Sequence, residues 1–145
     1  MAIAFNKPGS SLAELNAAWP DRLKDAEALL AAGRHGFALA TALYALEIRL
    51  NVLICVRLEL DHLPRAFEIH ELDQLLVLAG LSRRVERKPA RNVKRNWDQI
   101  RLMEAHLNEF RYRADANWTA TQVQNMLHQL CNPKNGVITW LGKVR

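Results

Sequence analysis

One long apolar segment, from about Gly36 to Leu60, constrains the fold of this chain more than any other feature of the sequence. It contains no proline, and as a helix of about 25 residues it would be roughly 37 Å long. Apolar residues lie on most of its circumference, which is typical of a helix packed among other helices. No membrane span is expected, because five charged residues interrupt the most apolar stretch at 44–63. They are Glu47, Arg49, Arg57, Glu59 and Asp61.

Shorter helical patterns flank this segment. Ser11 and Glu14 have the spacing of a capping box that starts a first helix, Pro20 should break or kink that helix, and Gly33 should end it. Further helices are expected at about 69–79, 89–110, 119–131 and 135–145. No segment shows the alternation of a strand. The 145 residues therefore predict an all-α, antiparallel up-and-down bundle of five to six helices, a single domain over 11–145 after an N-terminal tail at 1–10.

The two cysteines, Cys55 and Cys131, lie far apart among apolar residues, and neither has partners at a zinc-binding spacing. Buried free thiols in a reducing compartment are therefore expected, with no metal and no cofactor. The N-terminal sequence MAIAFNKPGSS lacks the basic and apolar regions of a secretion signal. We expect a cytoplasmic protein.

The formal net charge of +5 is concentrated in one segment. Residues 83–95 contain seven basic residues and one acid, so the rest of the chain is close to neutral. The seven are Arg83, Arg84, Arg87, Lys88, Arg91, Lys94 and Arg95. Clustered cations on a loop and a helix start can hold a phosphate backbone. An ordinary solvated face is the alternative, and both interpretations stay open.

A row of polar residues interrupts the long apolar helix. Tyr44, Glu47 and Asn51 recur at i, i+3 and i+7 and therefore share one side of the cylinder. A buried carboxylate or amide must find hydrogen-bond partners. One interpretation is an internal network, with His70 or Arg111 as partners, that fixes the helix register. The other is a cleft where a nucleotide or RNA binds.

Four local patterns carry a resemblance to a known family. They are LLAAG at 29–33, TALYALE at 41–47, HELDQLL at 70–76 and FRYR at 110–113. In residue type and spacing these patterns resemble the HEPN family, small prokaryotic helical bundles associated with nucleotides and RNA processing. The resemblance adds Arg111 and Arg113 to Tyr44, Glu47 and Asn51 as candidate binding residues.

Many HEPN proteins are metal-independent ribonucleases, whose motif is Arg followed, after four to six residues, by His. The chain contains this motif three times, as Arg57/His62, Arg65/His70 and Arg101/His106. Related nucleases place it in the region corresponding to 111–118, where no His follows Arg111 or Arg113. Arg65 and His70 are the best remaining catalytic candidates, because helix-start amides beside His70 could help to hold phosphate.

The sequence thus favours a non-catalytic nucleotide- or RNA-associated module. The resemblance also implies a homodimer and pairing with a small nucleotidyltransferase, as in two-component toxin–antitoxin systems. The alternatives are an RNA-cleaving toxin that uses Arg65 and His70, and a purely structural protein-interaction bundle.

Overall fold

The computed structural model describes residues 8–144, without the side chains of Pro8 and Ala116. In chain order its elements are β1 (Pro8–Ser11), α1 (Leu12–Ala31), α2 (His35–Arg57), β2 (His62–Pro64), α3 (Leu72–Leu78), α4 (Ser82–Val85), α5 (Arg91–Glu104), α6 (Leu107–Tyr112), α7 (Ala120–Cys131) and α8 (Val137–Leu141). Single 3-10 turns cover Arg65–Phe67, Lys88–Ala90 and Asp115–Asn117. The described part of the chain is mostly helical, as predicted, although its eight α-helices outnumber the five or six expected.

Helix α1 starts where the sequence predicts but does not break at Pro20. The Ser11 hydroxyl accepts a hydrogen bond from the Glu14 amide at 3.1 Å, and the Glu14 carboxylate accepts one from the Ser11 amide, which completes the capping box. The helix continues through Pro20, so of the break or kink expected there the break does not occur. Pro20 cannot donate the backbone hydrogen bond that other residues donate inside a helix. The packing of α1 against α2 compensates for this loss. Next to Pro20, for example, the Arg49 guanidinium of α2 lies 5.3 Å from the centroid of the Trp19 ring.

Helix α2 is the central helix that its composition predicts. It packs against α1, α3, α6, α7 and α8. Leu39, Leu46, Leu50 and Ile54 on this helix are fully buried. By length and composition α2 could also cross a membrane, but 67% of its most apolar window is buried inside the protein, as in a core helix.

A small antiparallel sheet, which the sequence does not reveal, joins the N-terminal segment to the chain after α2. Pro8 of β1 is opposite Pro64 of β2, and Ser11 is opposite His62. Residues 8–10 are therefore paired with the domain and do not form the free tail expected for 1–10. Residues 1–7 of that predicted tail lie outside the described residues.

The long helix predicted at 89–110 is divided into α5 and α6 by a turn at Ala105 and His106. The turn lets α6 pack on α2 and leaves Phe110 only 2% exposed. Local periodicity cannot reveal this turn, because its stabilisation comes from a tertiary contact.

Two further expectations near helix ends are resolved. By sequence either Thr119 or Thr121 could cap α7, and it is Thr119 that caps the helix, in a capping box with Gln122. Cys55 is buried, as expected, whereas Cys131 is exposed. The expectation of a buried thiol at Cys131 is wrong, because this residue is the last of α7, where the chain turns away from the helix.

Candidate functional site

The polar row of α2 makes hydrogen bonds to two distant parts of the chain. Nε of Arg111 donates to the Tyr44 hydroxyl at 2.9 Å, and the guanidinium carbon lies 5.6 Å from the centroid of the Tyr44 ring. Nδ1 of His70 lies 2.8 Å from Oε1 of Glu47. These contacts confirm the internal hydrogen bonds expected for Tyr44 and Glu47, and they tie both α6 and the segment before α3 to α2.

Opposing effects act on the pKa of the Glu47 carboxyl group. Its side chain is only 16% exposed, and burial raises its pKa above the ordinary value of 4.5. The hydrogen bond and charge of His70, and the charge of Arg111, oppose this rise, whereas the charge of Glu104 adds to it. His70 therefore supports the ionised form of Glu47, and the carboxylate fixes the orientation of the imidazole.

Glu47 and Asn51 of this row also line a cleft between α1, α2 and the segment around β2, which we call the acidic cleft. Its volume is about 350 Å³, and Glu14, Glu47, Glu68 and His70 belong to its walls. Asn51 lies in the wall too, 6% exposed, and its side-chain oxygen has no hydrogen-bond partner among the described residues. The carboxylates give this cleft the charge that repels phosphate, so its electrostatics disfavour a nucleotide.

Arg65 and His70, the catalytic candidates, lie between β2 and α3. Arg65 is exposed in its 3-10 turn, and the His70 side chain is 76% exposed. Helix α3 begins at Leu72, whose amide donates to Oε2 of Glu104 at 3.0 Å. One of the helix-start amides expected to help hold phosphate thus already has an anionic partner.

The other two Arg–His pairs have structural partners. Arg57 donates to a backbone carbonyl of α3 at 2.8 Å, and Arg101 lies 2.8 Å from Asp73. Nδ1 of His106 lies 2.7 Å from a carboxylate oxygen of Glu109. These contacts account for the two arginines and for His106 without a role in phosphate chemistry.

The basic segment, residues 83–95, runs through α4, a 3-10 turn and the start of α5. Within it Lys94 pairs with Asp98 at 2.6 Å and with Glu86 at 3.5 Å, and the hydrogen bond to Asp98 raises the pKa of Lys94. Arg84 is partly buried. The remaining cations are exposed and form no ion pair with any residue in 8–144: Arg83, Arg87, Lys88, Arg91 and Arg95. Their donor groups are available to an anion.

A groove rich in amides lies beside Arg95, and the sequence analysis missed it. Its volume is about 320 Å³, and α5, α7 and the turn after α7 contribute its lining. The lining residues are Asn92, Arg95, Asn96, His128, Asn132 and Asn135. In the sequence, Asn92 and Asn96 and likewise His128 and Asn132 lie four residues apart, which places each pair on one helix face. Only the tertiary packing shows that these two polar helix faces meet.

Arg113, the last sequence candidate, is exposed just after α6 and lies 3.8 Å from Glu109. The only described ion pair of Arg113 is therefore with a residue of the adjacent helix α6. Within the described residues no group of three or more His, Cys, Asp or Glu side chains could hold a metal ion. Comparison with models of protein families, with curated proteins and with solved structures gave no match.

Proposed function

We propose that this protein is a non-catalytic, HEPN-like module that associates with RNA, and that the basic segment holds the phosphate backbone. The observation that carries the proposal is the set of five exposed cations at 83–95 that form no ion pair with a described residue. Cations already bonded to carboxylates would lose those contacts on binding phosphate, whereas these five would not. Single-stranded RNA is the form we favour, because the exposed Asn92 in the amide groove beside Arg95 can offer a donor and an acceptor to an unstacked base. The side chains of Asn96 and Asn132 in this groove are already hydrogen-bonded within the protein.

Fluorescence anisotropy with a labelled single-stranded RNA, measured over a range of salt concentrations, tests this proposal. Binding should weaken steeply as salt rises, because phosphate contacts release counterions. The double variant Arg91→Gln with Arg95→Gln should bind more weakly by about tenfold or more at low salt. The charge-matched control, Lys24→Gln with Arg34→Gln, removes two exposed cations outside the basic segment and should bind like the wild type. No binding at low salt, or equal losses in both double variants, would contradict the proposal.

A ribonuclease that uses Arg65 and His70 is the second candidate, and one observation favours it. The Glu47 carboxylate holds the imidazole of His70 at 2.8 Å, an arrangement that orients a histidine for proton transfer. The carboxylates around this imidazole oppose the approach of RNA, which is why we rank it second. Metal-free cleavage of RNA that is lost in His70→Ala would establish the nuclease and replace the non-catalytic proposal.

The rest of the proposal concerns partners. We propose a cytoplasmic homodimer that pairs with a small nucleotidyltransferase, as the HEPN resemblance implies; a purely structural interaction bundle is the alternative. The apolar faces of α2 are largely covered by the chain itself, so a second copy would contact the exposed Phe37, Val56 and Leu58 near its ends. Sedimentation of the wild type and of Phe37→Ser tests this: a monomeric wild type would contradict the dimer.

A further inference from the structure

Part of the basic segment lines a cavity, which we call the basic pocket. Its volume is about 350 Å³, within the range of small-molecule sites. The lining residues are Val85, Glu86, Arg87, Lys88, Arg91 and Lys94. Four of them are cations, brought together where the chain passes from a 3-10 turn into α5. Cations that line one cavity concentrate positive potential there.

Most of this positive charge is not compensated by the described residues. Lys94 pairs with Glu86 of the lining and with Asp98, so these groups largely neutralise one another. The other three cations of the lining are exposed and form no ion pair with any residue in 8–144. Three available cations in one cavity favour an anion that carries more than one charge.

The phosphates of an RNA differ in charge and in access. An internal phosphodiester carries one negative charge and has a nucleoside on each side. A terminal phosphate monoester carries about 1.5 to 2 negative charges at pH 7 and has a nucleoside on one side only. Three cations around one pocket therefore suit the monoester, whereas cations spaced along an open surface suit the diesters of a backbone.

The amide groove lies next to the basic pocket along α5. Arg91 lines the pocket and Arg95 lines the groove, and residues at i and i+4 are neighbours on a helix surface. Asn92, which follows Arg91 in the chain, is exposed in the groove. A terminal nucleotide could therefore place its phosphate in the pocket and its base beside Asn92.

We propose that the basic pocket binds a terminal phosphate monoester of RNA. This inference rests on the proposed association with RNA, and it adds a preferred chain end to the phosphate contacts of the basic segment. Arg87, Lys88 and Arg91 donate to the phosphate oxygens, since guanidinium and ammonium groups form charge-assisted hydrogen bonds with phosphate.

Competition for the full chain, measured by fluorescence anisotropy with a labelled single-stranded RNA, tests the proposal. The competitors share one sequence and carry a 5′-phosphate, a 3′-phosphate or hydroxyl groups at both ends. A phosphate at one of the two ends should strengthen binding about fivefold or more over the hydroxyl-ended RNA. It should also exceed a hydroxyl-ended RNA that is two nucleotides longer, which carries a similar total charge.

The double variant Arg87→Gln with Lys88→Gln should reduce this preference to about twofold or less. Both side chains are exposed, so the fold should tolerate the change. The charge-matched control is Arg83→Gln with Arg95→Gln, which removes two exposed cations of the same segment that are absent from the pocket lining. The control should weaken the binding of all the RNAs alike and keep the preference for a terminal phosphate.

The outcomes separate this inference from the proposed function. Salt-dependent binding that is equal for the phosphorylated RNAs and the hydroxyl-ended RNA of matched charge would overturn the terminal-phosphate site while RNA association stands. A preference that persists in the double variant, or that is lost equally in the control, would overturn the assignment to this pocket. Absence of binding by every RNA would contradict both.

Discussion

Nδ1 of His70 lies 2.8 Å from Oε1 of Glu47, a residue 23 positions earlier in the chain. This contact joins the central helix α2 to the segment before α3 and places the imidazole on the rim of the acidic cleft. The best catalytic histidine of the sequence thus pairs with a carboxylate, whereas five exposed cations at 83–95 have no carboxylate partner among the described residues. This charge distribution supports the proposal that RNA binds at the basic segment rather than beside His70.

The Glu47–His70 contact should give a measurable coupling free energy in a double-mutant cycle of Glu47→Gln and His70→Ala. Because the His70 side chain is 76% exposed, solvent screening should limit the coupling to about 0.5 kcal/mol. Urea unfolding at neutral pH measures it. A parallel cycle of Glu47→Gln with His62→Ala is the control, since His62 is exposed and has no described side-chain contact with Glu47. Equal coupling in both cycles would contradict a specific contact.

Arg91 should contribute one phosphate contact to RNA binding. We expect Arg91→Gln to reduce the slope of log K against log salt by about 0.7, the value for one phosphate of a single strand. Lys24→Gln, which removes an exposed cation of α1, should leave this slope unchanged. A slope that does not change in Arg91→Gln would remove this residue from the interface.

Glu104 should make the stability of the protein depend on pH. Burial raises its pKa above 4.5, despite the hydrogen bond from the Leu72 amide. A carboxyl group of this kind binds its proton more tightly in the folded state, so its contribution to stability grows as pH falls towards 4.5 and is lost as pH rises through the raised pKa.

The variant Glu104→Gln keeps an oxygen that can accept from the Leu72 amide but cannot ionise. When the pH is lowered from about 7 to about 5, the free energy of unfolding of the wild type should therefore rise relative to that of this variant. Urea unfolding of both proteins at the two pH values measures the difference. The same pH dependence in both would show that Glu104 does not titrate in this range.

Two glycines with positive φ offer a matched pair of variants. Gly33 has a φ of +74° with no atom near the position of an added Cβ, whereas at Gly80, with a φ of +77°, that Cβ would lie 2.7 Å from Nε of Arg57. Gly33→Ala should cost about 1 kcal/mol of stability through backbone strain alone. Gly80→Ala should cost about 0.5–1 kcal/mol more, because Arg57 must move and its hydrogen bond to α3 is disturbed.

Thermal or urea unfolding of the two glycine variants measures this difference. In an Arg57→Ala background the additional cost of Gly80→Ala should disappear. If the additional cost of Gly80→Ala persists in the Arg57→Ala background, the Arg57 side chain is not the cause of that cost.

Features set by neighbouring residues could be predicted from the sequence. Ser11 and Glu14 form the expected capping box because both partners are within one helical turn. Gly33 follows the end of α1, as expected, in a left-handed conformation that costs glycine little. The polar row of α2 also follows from helical spacing, and its partners His70 and Arg111 were among those expected.

Features set by distant residues could not be predicted in this way. Helix α1 continues through Pro20 while it packs on α2, and the turn before α6 is stabilised by the burial of Phe110. The pairing of β1 with β2 joins segments separated by more than fifty residues, and neither strand is long enough to show a period.

The sequence by itself determined the helical class, the helix caps and the concentration of positive charge at 83–95, because composition and local spacing are sufficient for each. Only the tertiary structure decided that five of those cations have no carboxylate partner among the described residues. It also decided that the Leu72 amide at the start of α3 donates to Glu104, and that Glu47 pairs with His70. The physical reason is that free energies of pairing and desolvation depend on distances of a few ångströms between residues far apart in the chain.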